Sequence, residues 1–320
     1  MNNKNIFSEL SECLIIAEIG VNHNGDISMA KKLIDVAQKC GANAVKFQTF
    51  KAEKLASINT PKVAYQKEST HQSESHYEML KKLELSYENH FILKTYCENK
   101  KILFLSTPYD TDSAIFLDKD LEIKIFKTAS ADIIDHSLHE YISKSKKPTI
   151  VSVGMASLGE IEDTLKIYDK NKNNELILLH CVSNYPCSNE SLNMNVMNTL
   201  KHTFRFPVGF SDHSVGIEAA ILSIALGSKV IEKHLTLDKS LLGPDHKASS
   251  TPDEFLSYVN SIRKSEQMMG DYTKKLQQEE LGMSKVSRKS PVLNKDLLPG
   301  DILCINDIDL IRPAEGMKPY

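Results

Sequence analysis

Eight short runs of aliphatic and β-branched residues recur along the chain, each parted from the next by a longer stretch, and this alternation constrains the fold more than any other feature. The runs cover residues 14–19, 44–50, 102–107, 123–130, 149–154, 176–182, 207–211 and 229–235. Most are apolar without interruption, the pattern of parallel strands covered on both faces. The stretches between them carry helical spacing. Ile27, Ala30, Leu33, Ile34, Ala37 and Cys40 fall on one face, with Gly41 as a stop. Residues 158–168 and 216–226 read the same way, and Thr251 before Pro252 supplies an N-cap followed by proline at the first helical position. Strand alternating with helix predicts a parallel α/β fold, and eight repeats predict a closed (β/α)₈ barrel. An open doubly wound sheet is the competing architecture, but no Gly-x-Gly-x-x-Gly follows the first run.

In a barrel the C-terminal strand ends converge on one mouth, where active sites are built. The polar residues there are, in order, Glu18; Lys46 and Gln48; Thr107; Lys127 and Ser130; Ser152; Ser183; Ser211 and His213; and His234. Both lysines lie inside apolar runs, and a buried ammonium needs an anionic partner. Either they pair internally with Glu18 or Asp132, or they face the mouth and, with the hydroxyls, hold a phosphate and a carboxylate. His213 and His234 sit at neighbouring strand ends. They are either capped or core residues or a metal-binding pair, with no His-x-His or His-Glu-x-x-His pattern to decide. His23 reads as a turn residue before Gly25, and His180 as a satisfied core histidine.

A net charge of -3 gives no basic footprint, so nucleic acid is not an expected partner. No apolar run approaches the roughly 18 residues of a membrane span, and no signal-type apolar segment follows Met1. The six cysteines form no Cys-x-x-Cys pair and read as buried thiols. A soluble, cytoplasmic protein without a membrane partner is expected.

The segments Ile16-Ala17-Glu18-Ile19-Gly20-Val21-Asn22-His23-Asn24-Gly25, Val45-Lys46-Phe47-Gln48, Ser106-Thr107-Pro108 and Gly154-Met155-Ala156 resemble the sialic acid synthase family. So do Leu179-His180-Cys181, Tyr185-Pro186, Gly209-Phe210-Ser211-Asp212-His213, Ile231-Glu232-Lys233-His234 and Gly243-Pro244-Asp245-His246-Lys247-Ala248-Ser249. The resemblance runs from about residue 14 to the C-terminus. It implies a divalent metal on His213 and His234, typically manganese, with magnesium or cobalt as substitutes. It also implies a phosphoenolpyruvate site at Lys46, Thr107, Lys127, Ser130, Ser152, Ser183 and Ser211, and sugar contacts from Glu18, Gln48, Tyr185 and Asp245. Glu18 and Asp132 are the candidates for moving protons. The implied reaction joins phosphoenolpyruvate to an N-acetylmannosamine-type sugar, giving a neuraminate- or legionaminate-type nonulosonic acid and phosphate.

By the same resemblance, residues 1–270 form the barrel, 271–286 a polar linker with some helix, and 287–320 a shortened antifreeze-like (SAF) domain. There Arg312 corresponds to an arginine that reaches the partner's sugar in a head-to-tail homodimer. The chain departs from the family by having Ala314 after Arg312-Pro313, by ending at Tyr320, and by carrying Ser183 where some relatives have Asn. Two other readings compete. A binding barrel that has lost catalysis would follow from the incomplete C-terminal domain, and a metal-dependent hydrolase would fit the histidines but not the lysines.

Overall fold

The computed structural model describes residues 5–62, 70, 74–313 and 316–319; Ala314 and Tyr320, two of the points of departure, lie outside them. The chain divides into two compact units, Met1–Met269 and Gly270–Tyr320.

The first unit is built on eight parallel strands: β1 (Leu14–Gly20), β2 (Ala44–Thr49), β3 (Leu103–Pro108), β4 (Phe126–Thr128), β5 (Thr149–Ser152), β6 (Leu176–His180), β7 (Val208–Asp212) and β8 (Val230–His234). Hydrogen-bonded neighbours run β3-β2-β1-β8-β7-β6-β5-β4, which brings the first strand beside the last. β3 and β4 pack against each other at the remaining seam, so the barrel is nearly closed. All eight expected runs are strands. The fourth is shorter than its sequence because the chain turns at Ala129 into a 3₁₀ segment, Ser130–Ile134, where the Ser130 hydroxyl accepts from the Gly154 N–H.

Helices cover the outside. Ile27–Lys39 is capped by Asp26, and Gly41 follows at φ +86°, a conformation that glycine adopts without strain. Leu158–Lys170 starts with a capping box between Ser157 and Glu160, and Pro252–Met269 starts with the equivalent Thr251 and Glu254 pair. The helix expected over 216–226 is Glu218–Ala225 instead, because Gly216 stands at φ +89°. Among the described residues no helix is long and apolar enough to cross a membrane.

Strand pleating sorts the side chains into two cores. Residues such as Ile15, Val45, Phe126, Val151, Leu178, Phe210 and Ile231 point outward and meet the helices. Ile16, Ala44, Leu105, Ile150, Ile177, Leu179 and Val230 point inward and fill the lower barrel, with Phe7 packed among them. Phe7 comes from a 3₁₀ turn, Ile6–Glu9, which Asn5 anchors by donating to the carbonyls of Asn174 and Leu176. At Gly209 an added Cβ would lie 2.4 Å from both Leu179 Cδ2 and the Val230 carbonyl, so this inward position admits only glycine.

The second unit holds a helix, Glu280–Ser287, and a two-stranded antiparallel sheet of β9 (Ser290–Leu293) and β10 (Ile308–Ile311). The expectation that every cysteine is buried fails here. Cys304 is exposed, in a unit too small to enclose it, whereas the five barrel cysteines are buried.

Phe7→Ala, which empties the base of the barrel, is expected to lower the unfolding free energy by about 3–5 kcal/mol. Urea midpoints measure this, and a midpoint equal to the parent's would show that the first turn does not close the barrel.

Candidate active site

The inward pleat that fills the lower barrel with aliphatic residues changes character one layer higher. Glu18, Lys46, Gln48, Thr107, Lys127, Ser152, Ser211, Glu232 and His234 continue the same faces of their strands towards the C-terminal ends. The two lysines are almost fully buried. Lys46 Nζ lies 2.7 Å from Glu18 Oε2 and donates to Thr107 Oγ1 at 2.9 Å. Lys127 Nζ donates to Ser152 Oγ at 2.7 Å and to the Thr128 carbonyl at 3.0 Å.

Between them stands Glu232, a residue that sequence reasoning did not assign to the site. Its Oε2 is 3.9 Å from Lys46 Nζ and 3.8 Å from Lys127 Nζ, while Oε1 accepts from the Ser211 hydroxyl at 3.1 Å. Lys127 therefore pairs with Glu232, not with Asp132. The signal was present in the alternation Val230, Glu232, His234, which places the glutamate on the same face as the histidine.

Burial and charge separate the carboxyls. Burial alone would push Glu232 up, but Lys127 and Lys46 hold it at about 2, so it stays ionised. Glu18 goes the other way: burial outweighs Lys46, the Glu232 charge adds to it, and its carboxyl titrates at about 7. Asp132 is raised to about 7 by burial and by Asp135, against the pull of Lys127. Asp245 is raised by burial to about 6, with Lys46 opposing. Lys46 rises above its ordinary value because Glu18 and Glu232 outweigh its burial, whereas burial wins at Lys127 and lowers it. One carboxylate is thus fixed as an anion, and three carboxyls exchange protons near neutral pH.

The hydroxyls gather on the β4–β6 side. A Cβ at Gly154 would come within 2.7 Å of both Ser183 Oγ and Cys181 Sγ and within 3.0 Å of Ser130 Oγ, so these three side chains converge on a bare backbone segment. Cys181 and Gly154 belong to this cradle without having been expected there. Ser130 Oγ lies 3.0 Å from Cys181 Sγ.

His213 and His234 meet across β7 and β8 with ring centroids 5.8 Å apart. His213 Nδ1 is 2.6 Å from the Val182 carbonyl, which can only accept, so the proton sits on Nδ1 and Nε2 keeps its lone pair. Burial lowers both imidazoles, His234 furthest because His213 adds to the effect, and both are neutral. The buried Nδ1 of His234 has no hydrogen-bond partner among the described residues, and the nearest carboxylate, Asp245 Oδ2, is 3.8 Å away. Two neutral imidazoles, one with its second nitrogen donating to a backbone carbonyl and one with an unpartnered nitrogen, fit a divalent metal. Among the described residues no group of three or more His, Cys, Asp or Glu is arranged to hold an ion, so the remaining positions would fall to water or substrate.

Tyr185 covers the pair, with its ring 4.1 Å from that of His213 and edge-on to His234 at 5.5 Å. Gln48 donates to Glu18 at 3.3 Å. The expected site residues of the barrel therefore share one mouth, with Asp132 at its edge, where Oδ2 has no hydrogen-bond partner among the described residues. Arg312 belongs to the second unit and is exposed there. His180 is a core histidine as expected, bonded at 2.6 Å to the Leu192 carbonyl, and His23 Nδ1 accepts from the Gly25 N–H within its turn.

A family model described as the NeuB family matches residues 33–274. The N,N'-diacetyllegionaminic acid synthase of Legionella pneumophila is 44% identical over 96% of this chain and 87% of its own length. The enzyme of the same name from Campylobacter jejuni is 43% identical over 97% and 93%. Among solved structures, an N-acetylneuraminic acid (sialic acid) synthetase from Leptospira borgpetersenii, in complex with citrate, matches with a TM-score of 0.76 and 36% identity, covering 85% of this chain and 90% of that one.

The two carboxyls that share Lys46 should behave differently on neutralisation. Glu232→Gln leaves two buried lysines without their common anion and is expected to cost about 3–5 kcal/mol at pH 6. Glu18→Gln should cost no more than about 1.5 kcal/mol there. Its cost should shrink between about pH 4.5 and 7 and level off above, because in that window the unfolded parent ionises Glu18 while the folded parent keeps the proton and so loses stability. Urea titrations at pH 6 and 8 measure both, and equal costs at pH 6 would contradict the assigned charges.

Proposed function

Because the chain belongs to the NeuB family, we propose that it condenses phosphoenolpyruvate with an N-acetylmannosamine-type sugar to give a nine-carbon nonulosonic acid and phosphate. The observation that carries this reading is the buried row Lys46–Glu232–Lys127, set between a hydroxyl cradle and two neutral histidines. The hydrolase reading accounts for the histidines but leaves both buried lysines unexplained.

In this reading Lys127, Ser130, Ser152 and Ser183, with Gly154, receive the phosphate. Lys46, Thr107 and Ser211 receive the carboxylate. Burial lowers Lys127 from its ordinary value, and an arriving anion would oppose that shift by stabilising the ammonium form. Carbon 3 of the enol then forms a bond to the aldehyde carbon of the open-chain sugar, and water adds at carbon 2. Phosphate leaves with its bridging oxygen by C–O cleavage, and the former carbon 2 becomes the ketone of the product.

Two proton transfers accompany these steps. Glu18 is opposite His234 in the β1–β8 ladder and titrates near neutrality, which suits it to protonate the new hydroxyl. Asp132 feels the Lys127 charge and also titrates near neutrality, which suits it to take the proton of the water. A divalent ion, manganese by family resemblance, would be held by His213 and His234 and would supply Lewis-acid polarisation of the sugar aldehyde. Gln48, Tyr185 and Asp245 line the sugar side. The names of the two relatives, N,N'-diacetyllegionaminic acid synthases, favour 2,4-diacetamido-2,4,6-trideoxymannose as acceptor and N,N'-diacetyllegionaminate as product. N-acetylmannosamine, leading to N-acetylneuraminate, is the competing pair.

In the same proposal the second unit is an antifreeze-like segment, and Arg312 reaches the sugar of a second copy in a head-to-tail dimer in the cytoplasm.

Phosphate release with manganese, phosphoenolpyruvate and each sugar in turn tests the reading. Release is expected to be faster with the diacetamido sugar, and no release with either would sink the synthase assignment. His213→Ala and His234→Ala should each bring metal-stimulated release to background while leaving phosphoenolpyruvate binding within a few fold of the parent. Undiminished release in either variant would show that the pair was misread.

A further inference from the structure

Behind the two histidines, on the outward faces of the same strands, lies a second charged cluster that the proposed reaction does not use. Asp212 and Lys233 are register partners in the β7–β8 ladder, and their side chains point away from the barrel interior. Asp212 Oδ2 lies 3.0 Å from Lys233 Nζ and accepts from the Tyr258 hydroxyl at 2.8 Å, on helix Pro252–Met269. Asp212 Oδ1 accepts from the backbone N–H of Ser214 at 2.8 Å and from its hydroxyl at 2.6 Å. Lys233 donates to the Ser214 carbonyl, and its ammonium is 5.2 Å from the Tyr258 ring centroid. All four residues are at most 3% exposed.

A buried ion pair often stabilises no more than well-packed apolar residues of the same volume, so its presence calls for a role other than stability. Its place in the sequence indicates that role. Asp212 and Ser214 flank His213, and Lys233 immediately precedes His234. His213 is the first residue beyond the end of β7 and has no ladder partner of its own in β8. Its ring is fixed from the β6 side through Val182, and the backbone on both sides of it is fixed from the β8 side through Lys233.

We propose that Asp212, Lys233 and Tyr258 are positioning residues that set the separation and orientation of the His213–His234 pair for a divalent cation. This rests on the metal reading made above, in which the two imidazoles are the protein ligands among the described residues. With only two, the spacing of that pair governs affinity more strongly than it would in a site with three or four protein donors. Without the cluster, His213 would be held through its ring by Val182 and through its carbonyl by the Cys187 N–H, with no anchor from the β8 side to fix it relative to His234. The polar clamp supplies that anchor from the opposite face of the sheet.

The test is manganese affinity of the substrate-free protein, read from the electron paramagnetic resonance signal of free manganese. Phosphoenolpyruvate affinity without metal, by equilibrium dialysis, serves as the control. Lys233→Met is expected to weaken manganese binding about 10- to 100-fold and to leave phosphoenolpyruvate binding within about threefold, because Lys233 faces outward, whereas Ser211 and Glu232 on the same two strands face inward with the rest of the anion pocket. Tyr258→Phe keeps the ring and removes one bond to Asp212. It should weaken manganese binding by a smaller factor, and it decides the question if Lys233→Met does not fold. Parent-like manganese affinity in a folded Lys233→Met, or in Tyr258→Phe if that is the folded variant, overturns the clamp alone. A parent protein that binds no manganese overturns the metal reading, and the clamp with it.

Discussion

The upper barrel depends on one carboxylate shared by two ammonium groups. Desolvating Lys46 and Lys127 inside a ring of strands would cost several kcal/mol each without a counter-charge. Glu232 supplies that charge from the strand that closes against β1. Because a single anion serves two cations, neither lysine is fully neutralised, and the pocket keeps an unbalanced positive character at Lys127. Glu18 then competes for Lys46 from a site where its own ionisation is unfavourable. The result is two carboxyls on one lysine with opposite protonation preferences at neutral pH, an arrangement suited to chemistry that binds anions and moves protons together.

This charge system can exist because the layer beneath it is dry and tightly filled. Ile16, Leu105, Ile150, Leu179 and Val230 form an apolar floor below the lysines, and glycine at 209 is required by the close approach of Leu179 and Val230. Such a floor excludes water from under the ion row and so strengthens every interaction in it. The outer face of the sheet is apolar along most of its length; it carries the hydrogen-bonded Thr49, Ser106 and His90 on the β2–β3 side and the charged Asp212–Lys233 pair directly behind the histidines.

Much of this was legible in the sequence, and the parts that were not share a cause. The eight strands announced themselves because parallel strands buried on both faces are continuously apolar. The lysines stood out because each broke such a run. Glu232 did not, because it sits beside Lys233 and before His234 in what reads as a short charged stretch; only the strand pleat separates 232 and 234, facing inward, from 233, facing out. The same ambiguity hid the Asp212–Lys233 pair, whose members are 21 residues apart in the chain and become neighbours through ladder register. Gly154 could not be singled out, since its role is to leave room for Ser130, Cys181 and Ser183, and an absence of side chain carries no signature. The fourth strand was overextended because Ile123 and Ile125 are apolar for packing reasons alone, and the turn at Ala129 follows from a hydrogen bond to a distant segment.

Phe7 has a consequence for traffic through the site. By stopping the base of the barrel it makes the interior a blind tube, so everything that enters must also leave through the strand C-terminal end. Glu232 and Ser211 precede His234 and His213 by two residues along their strands, which places the ion row roughly 6–7 Å deeper than the imidazoles. In the proposed reading, a molecule held by the lysines would lie beneath one held at the histidines. Two ligands placed in this way would load in order, the last in being the first out.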